Sequence, residues 1–130
     1  MKTLIVDYGM GNLASVKRAL EECGADAFVS DNPKAILDAS HILLPGVGSF
    51  KQAMDNLNRQ GWSDEIKNSL EKWDIPFLGI CLGMQLLSTN SEEHGESEGL
   101  NLIPGRVKKF VLPKELRIPH VGWNELYIQN

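Results

Sequence analysis

Residues 75–87 read I-P-F-L-G-I-C-L-G-M-Q-L-L. A short apolar run, Phe77 to Ile80, meets Cys81, which has a glycine two residues away on either side. Apolar residues at helical spacing follow at once. The pattern predicts strand, sharp turn and helix, with the reactive side chain on the turn: a nucleophile elbow. Such a turn strains the backbone of its central residue and leaves no room for a Cβ at Gly79 or Gly83. It also sets the sulfur at a helix N-terminus, where unpaired N–H groups and the helix dipole favour thiolate over thiol. The five residues G-I-C-L-G alone fit equally well a buried cysteine packing as a small hydrophobe. The rest of the chain has to arbitrate.

With 130 residues the chain is long enough for one domain with a real core and too short for two. A net charge of −4 leaves no electrostatic footprint for nucleic acid. No apolar run approaches the roughly 20 residues that span a bilayer, and the apolar stretch at the N-terminus is too short for a signal peptide. Cys23 and Cys81 sit in dissimilar contexts and form no metal-ligand spacing, so neither a metal nor a cofactor is expected. A cytoplasmic, single-domain protein over residues 1–130 is the expectation, since a lone reactive thiol suits a reducing compartment.

In chain order, T-L-I-V (3–6) reads as a buried parallel strand. The glycine-rich loop Y-G-M-G-N follows, with Asn12 placed to cap a helix whose apolar stripe is Leu13, Val16, Ala19, Leu20 and Cys23. That stripe puts Cys23 in the core. A second strand is expected over 25–30, then a short helix from Asp31-Asn32-Pro33 anchored by Ile36 and Leu37. The third strand, H-I-L-L (41–44), stops at P-G-V-G. Ser49 is expected to cap the next helix, which buries Phe50, Ala53, Met54 and Leu57 and ends at Gly61. A further helix opening on Ser63-Asp64-Glu65 carries Ile66, Leu70 and Trp73 inward. Alternating strands and helices, with glycine loops after strands one, three and four, predict a parallel sheet covered by helices on both faces. Its ligand site should lie at the carboxyl ends of the strands. Beyond Ser88 the texture changes: a polar, acidic loop over 89–99, then the alternating runs R-V-K-K-F-V-L and N-E-L-Y-I, expected as antiparallel strands beside the parallel core.

A cysteine nucleophile attacking a carbonyl needs hydrogen-bond donors for the oxyanion, each worth ~3–4 kcal/mol in the transition state. The elbow offers the Leu82 N–H, and the P-G-V-G loop offers that of Val47 or Gly48. In isolation P-G-V-G also reads as a plain strand-to-helix turn. The nucleophile needs a base as well. His41 begins a strand and reads as structural, His94 lies in the acidic loop, and His120 in I-P-H-V-G-W-N has no orienting carboxylate nearby in sequence.

D-Y-G-M-G-N (7–12), L-P-G-V-G-S-F (44–50), F-L-G-I-C-L-G-M-Q-L-L (77–87), S-E-E (91–93), G-L-N-L-I-P-G (99–105) and P-H-V-G-W-N (119–124) occur in this order. Over essentially the whole chain they resemble the glutaminase-subunit family of imidazole glycerol phosphate synthase, within the class I glutamine amidotransferases. C-L-G-M-Q is common to that class; Y-G-M-G-N and P-H-V-G-W-N belong to the subfamily. The resemblance implies a three-layer, flavodoxin-like α/β fold and a Cys81 thioester formed with the side chain of L-glutamine, releasing ammonia. It implies Val47 and Leu82 as oxyanion donors and Gly46, Gly48, Gln85 and Glu93 as residues that hold glutamine. It further implies a heterodimer with a (βα)8-barrel cyclase that consumes the ammonia in histidine biosynthesis, with Asn12, His120, Trp123 and Asn124 near the interface.

One departure is large. Members of the family carry a catalytic histidine and glutamate in an F-H-P-E segment, and these 130 residues contain none. The resemblance therefore implies a C-terminally truncated amidotransferase domain, inactive alone. Two alternatives stay open at this point: a related glutaminase serving another synthase, such as one modifying nine-carbon sugars, and a non-catalytic scaffold docking on a barrel.

Overall fold

The computed structural model describes residues 2–93, 95–115, 118–119 and 121–129. Four strands, β1 (Lys2–Val6), β2 (Asp26–Ser30), β3 (His41–Leu44) and β4 (Phe77–Gly79), form one sheet in the order β2-β1-β3-β4. All pairings are parallel, with Leu4 opposite Phe28 on one side and Ile42 on the other. Between the strands come α1 (Leu13–Glu22), a 3₁₀ segment (Pro33–Asp38), α2 (Phe50–Gln60) and α3 (Trp62–Trp73).

Strand alternation divides the apolar residues between two faces. Leu4, Val6, Ile42 and Leu44 join Ile36, Phe50, Leu57, Trp62 and Ile66 in the main core. Ile5, Ala27 and Leu43 point the other way and meet Leu13, Val16 and Leu20 of α1. Helices thus cover both faces, the expected three layers. Phe50, Ala53, Met54 and Leu57 are all buried as their spacing predicts. Full burial of the three larger side chains, Phe50, Met54 and Leu57, contributes about 1.5–3 kcal/mol each.

Several expectations fail at helix ends, where periodicity stops constraining which way a side chain points. Cys23 is exposed, because it is the C-cap of α1 and not part of its packed stripe. Leu37 and Trp73 are exposed as well. Ile36 is the buried residue of the 3₁₀ segment, and Trp62, one residue before the expected helix start, is the tryptophan that α3 buries. Its indole Nε1 donates to the Asp7 carbonyl at 3.3 Å, joining α3 to the end of β1.

After β4 the chain forms the five-residue helix α4 (Leu82–Leu86) and a second sheet of β5 (Ser88–Ser91), β6 (Ser97–Glu98) and β7 (Ile103–Val107), ordered β6-β5-β7. The expected acidic loop is therefore a hairpin, β5 running antiparallel to β6. β7 runs parallel to β5, contrary to the antiparallel expectation. The cause is Leu100, buried at 0% exposure, whose N–H donates to the Leu86 carbonyl at 2.8 Å. That anchor draws the chain back under α4 before β7 starts, so it re-enters from the end where β5 began. A Cβ on Gly99 would collide with the Ser88 carbonyl oxygen, so glycine permits the crossing. Among the described residues of 108–129 none lies in a helix or strand, so N-E-L-Y-I is not the strand its alternation suggests. The side chains of Val121, Leu126 and Ile128 stay in solvent.

Candidate active site

Cys81 sits between β4 and α4 at φ +55° and ψ −119°, a conformation that costs an L-residue about 1–3 kcal/mol. Its neighbours hold it there. The Ile80 N–H donates to the Leu44 carbonyl at 3.0 Å, and the Cys81 carbonyl accepts from Met84 and Gln85 at 3.0 and 3.2 Å. A Cβ on Gly79 would stand 2.6 Å from Met84 Cα, and one on Gly83 would overlap the Leu44 carbonyl oxygen. Both glycines are therefore steric requirements of the turn. The sulfur is exposed, not packed in the core.

The loop after β3 lies directly against this elbow. A Cβ on Gly46 would be 2.9 Å from the Gly83 nitrogen, 3.0 Å from Leu82 Cβ and 2.5 Å from the Tyr8 hydroxyl. Gly48 has φ +100°, and its missing Cβ would touch Met10 Cε at 3.0 Å. Gly11 faces Pro45 at 3.5 Å. The loops after β1, β3 and β4 therefore converge at the carboxyl edge of the sheet, where parallel α/β proteins place their ligands. Val47 is exposed at the tip of its loop, and Leu82 is buried at the start of α4.

Beside the elbow an open cleft of about 520 Å³ is lined by Gln85 from α4, Glu92 and Glu93 after β5, Val107 at the end of β7, and Lys108 and Phe110 beyond it. The structure thus brings Gln85 and Glu93 together. One Glu93 carboxylate oxygen accepts from the Phe50 N–H at 2.9 Å. Glu93 therefore occupies the N-terminus of α2, where the helix dipole favours an anion. The Ser49 side chain, expected as that cap, makes no capping hydrogen bond. Next to it, the hydrogen bond from the Arg106 guanidinium holds the Glu92 carboxyl below the usual carboxylate range, helped by the charge of Lys108.

Asn12 caps α1 as expected, its side-chain oxygen accepting from the Ser15 N–H at 3.4 Å. Trp123 and Asn124 lie in the stretch without regular structure, and Trp123 is fully exposed. His120, grouped with them by sequence, falls outside the described residues, as does His94. Tyr8 was not singled out by its sequence context, yet it touches the loop that adjoins Cys81. A signal existed: Leu4, Val6 and Tyr8 continue the alternation of β1 by one more inward position. No helix among the described residues is long and apolar enough to cross a membrane.

An exposed cysteine on a glycine-flanked turn thus stands beside a second glycine loop at the carboxyl edge of a parallel sheet. The family model for glutamine amidotransferase class I matches residues 4–129, and the chain belongs to that family. Within it, the chain is 47% identical over 131 residues to "Imidazole glycerol phosphate synthase subunit HisH" of Syntrophotalea carbinolica, covering 97% of this chain and 63% of that one. It is 49% identical over 124 residues to subunit HisH 1 of Campylobacter jejuni (95% and 62% covered). With subunit HisH of Aquifex aeolicus it shares 46% over 130 residues (99% and 61%). The chain thus spans about three fifths of the length of these relatives. Among solved structures, one described as a glutamine amidotransferase superposes with a TM-score of 0.64 at 21% identity, covering 75% of this chain and 51% of that one, a likeness of fold.

Proposed function

We propose that this chain carries the nucleophile, oxyanion site and glutamine pocket of a glutaminase serving imidazole glycerol phosphate synthase. The observation that carries the reading is Cys81, exposed at φ +55° on a turn whose next two residues, Leu82 and Gly83, pack against Gly46. In this reading the Cys81 thiolate attacks the side-chain carbonyl carbon of L-glutamine. The developing oxyanion is met by the backbone N–H of Leu82 and of Val47. The carbon–nitrogen bond then breaks, nitrogen takes a proton and leaves as ammonia, and water hydrolyses the γ-glutamyl thioester to glutamate. Gly46 and Gly48 let the substrate approach the backbone, Gln85 faces its amide end, and the negative charge of Glu93 suits its ammonium group.

The base that shuttles protons in this scheme is a histidine oriented by a glutamate, and no F-H-P-E occurs in the 130 residues. Alone, the chain is therefore expected to bind glutamine and react at Cys81 without turning over. Similarity to HisH subunits supports a (βα)8-barrel cyclase as the cytoplasmic partner that receives ammonia for histidine biosynthesis. Asn12, His120, Trp123 and Asn124 are the residues assigned to its surface.

Alkylation kinetics test the pocket directly. L-glutamine at millimolar concentration should slow iodoacetamide modification of Cys81 several-fold and leave Cys23 unaffected, while D-glutamine does neither. Equal modification of both cysteines with and without L-glutamine contradicts the reading.

A further inference from the structure

Tyr8 is completely buried, and after Trp62 it is the largest side chain in the core. Its hydroxyl donates to the Pro45 carbonyl oxygen at 2.9 Å, 37 residues along the chain. The backbone from which the ring hangs is itself held from another direction. The Tyr8 carbonyl accepts from Asn56 Nδ2 at 3.2 Å and Gln60 Nε2 at 3.3 Å, both on α2. The neighbouring Asp7 carbonyl accepts from the Trp62 indole. Tyr8 is thus a strut with one end fixed in the helical layer and the other on the loop that faces Cys81.

We infer that Tyr8 is a positioning residue for the glutaminase reaction proposed above: its hydroxyl fixes the root of the oxyanion loop and confines rotation to the peptides flanking Val47. A peptide unit is planar, so holding the Pro45 carbonyl also holds the Gly46 N–H on the opposite side. The first soft torsions beyond that point belong to Gly46, Val47 and Gly48, and Gly48 at φ +100° occupies a region that glycine enters and leaves without steric penalty. With the root fixed, the Val47 N–H swings on a short arc beside the elbow; with it free, the donor is spread over a larger volume. Removing the hydroxyl should therefore weaken reactions that need the oxyanion donor and spare those that need only an exposed thiol. The strut also keeps its proton. Burial first, and the negative charge of the neighbouring Cys81 sulfur second, push the Tyr8 hydroxyl up to about 12, so it remains a donor through neutral and moderately alkaline pH.

The inference rests on the glutaminase reading, and two measurements on Tyr8→Phe in the 130-residue chain separate the claims. The first is backbone 15N relaxation. Val47 and Gly48 are expected to fall from order parameters of about 0.85 to below about 0.6, with Ala53 to Leu57 unchanged as the control for folding. The second is the ratio of Cys81 labelling by a chloroketone analogue of glutamine, which uses the oxyanion donors, to labelling by iodoacetamide, which does not. That ratio is expected to fall about tenfold, with iodoacetamide labelling alone changed less than twofold. Unchanged order parameters overturn the tether; changed order parameters with an unchanged ratio overturn the positioning role. If Cys81 in the unaltered chain reacts with the chloroketone no faster than Cys23, the glutaminase reading fails and takes the positioning role with it, while relaxation still judges the tether. Should the variant not fold, the unaltered chain provides the decision: a slowly exchanging Tyr8 hydroxyl proton close to Gly46 is expected, and its absence overturns the inference.

Discussion

Gly83 shows how tightly single residues constrain the elbow. A Cβ there would overlap the Leu44 carbonyl oxygen, a backbone atom of a central strand that cannot move aside cheaply. Gly83→Ala should cost several kcal/mol in urea unfolding, at the severe end for point substitutions. Gly105→Ala, with nothing within 4 Å of its added methyl, should stay within about 0.5 kcal/mol. Equal effects would mean that the strand–helix crossing is looser than described. Tyr8 offers a second test at this scale. Its folded-state titration lies above that of an unfolded tyrosine, so its stabilising contribution is intact below pH ~10 and is lost as pH climbs through about 12. Phenolate absorbance should reveal one tyrosine ionising with that delay, and Tyr8→Phe should abolish this component. Among single residues, Cys81 and its glycines were legible in the sequence because steric demands leave a residue-type signature. The position of Cys23 was not, since a helix cap shares the period of the helix but not its burial.

At the level of elements, α2 is the informative case. Its buried face followed from spacing alone, while its cap came from a residue 43 positions away. Ser49 has the right chemistry and the right place in sequence, but Glu93 brings a full charge to the helix N-terminus and displaces it. Thermal unfolding should therefore register Glu93→Gln as a loss of about 0.5–1 kcal/mol and Ser49→Ala as a few tenths at most. The reverse order would return the cap to Ser49. The second sheet illustrates the same limit. Its strands are short and its alternation weak, so pairing direction was decided by the Leu100 anchor and the Gly99 crossing, contacts that local patterns do not encode. The parallel sheet was legible because Leu4–Val6, Ile42–Leu44 and Phe77–Leu78 are apolar runs set between amphipathic helices.

Across the whole molecule, apolar surface is unevenly distributed. β4 lies at the edge of the main sheet, with Leu78 at 55% and Ile80 at 40% exposure, and Trp123, Leu126 and Ile128 are almost fully in solvent. An open strand edge beside apolar side chains favours association. Sedimentation of the 130-residue chain should show concentration-dependent self-association, which Leu78→Lys reduces several-fold. A monomeric, cooperatively melting species at high concentration would contradict this. The same edge lies next to the elbow, so the site and the sticky surface are neighbours in the fold.

The central claim is that Cys81 is presented as a nucleophile to a glutamine-shaped electrophile while Cys23, also exposed, is not. Incubation with 6-diazo-5-oxo-L-norleucine followed by peptide mass mapping compares the two sulfurs in one chain. The account predicts a covalent adduct on Cys81, suppressed by L-glutamine, at a rate at least tenfold above that of Cys23. Adducts distributed evenly between the two cysteines and indifferent to L-glutamine would contradict it.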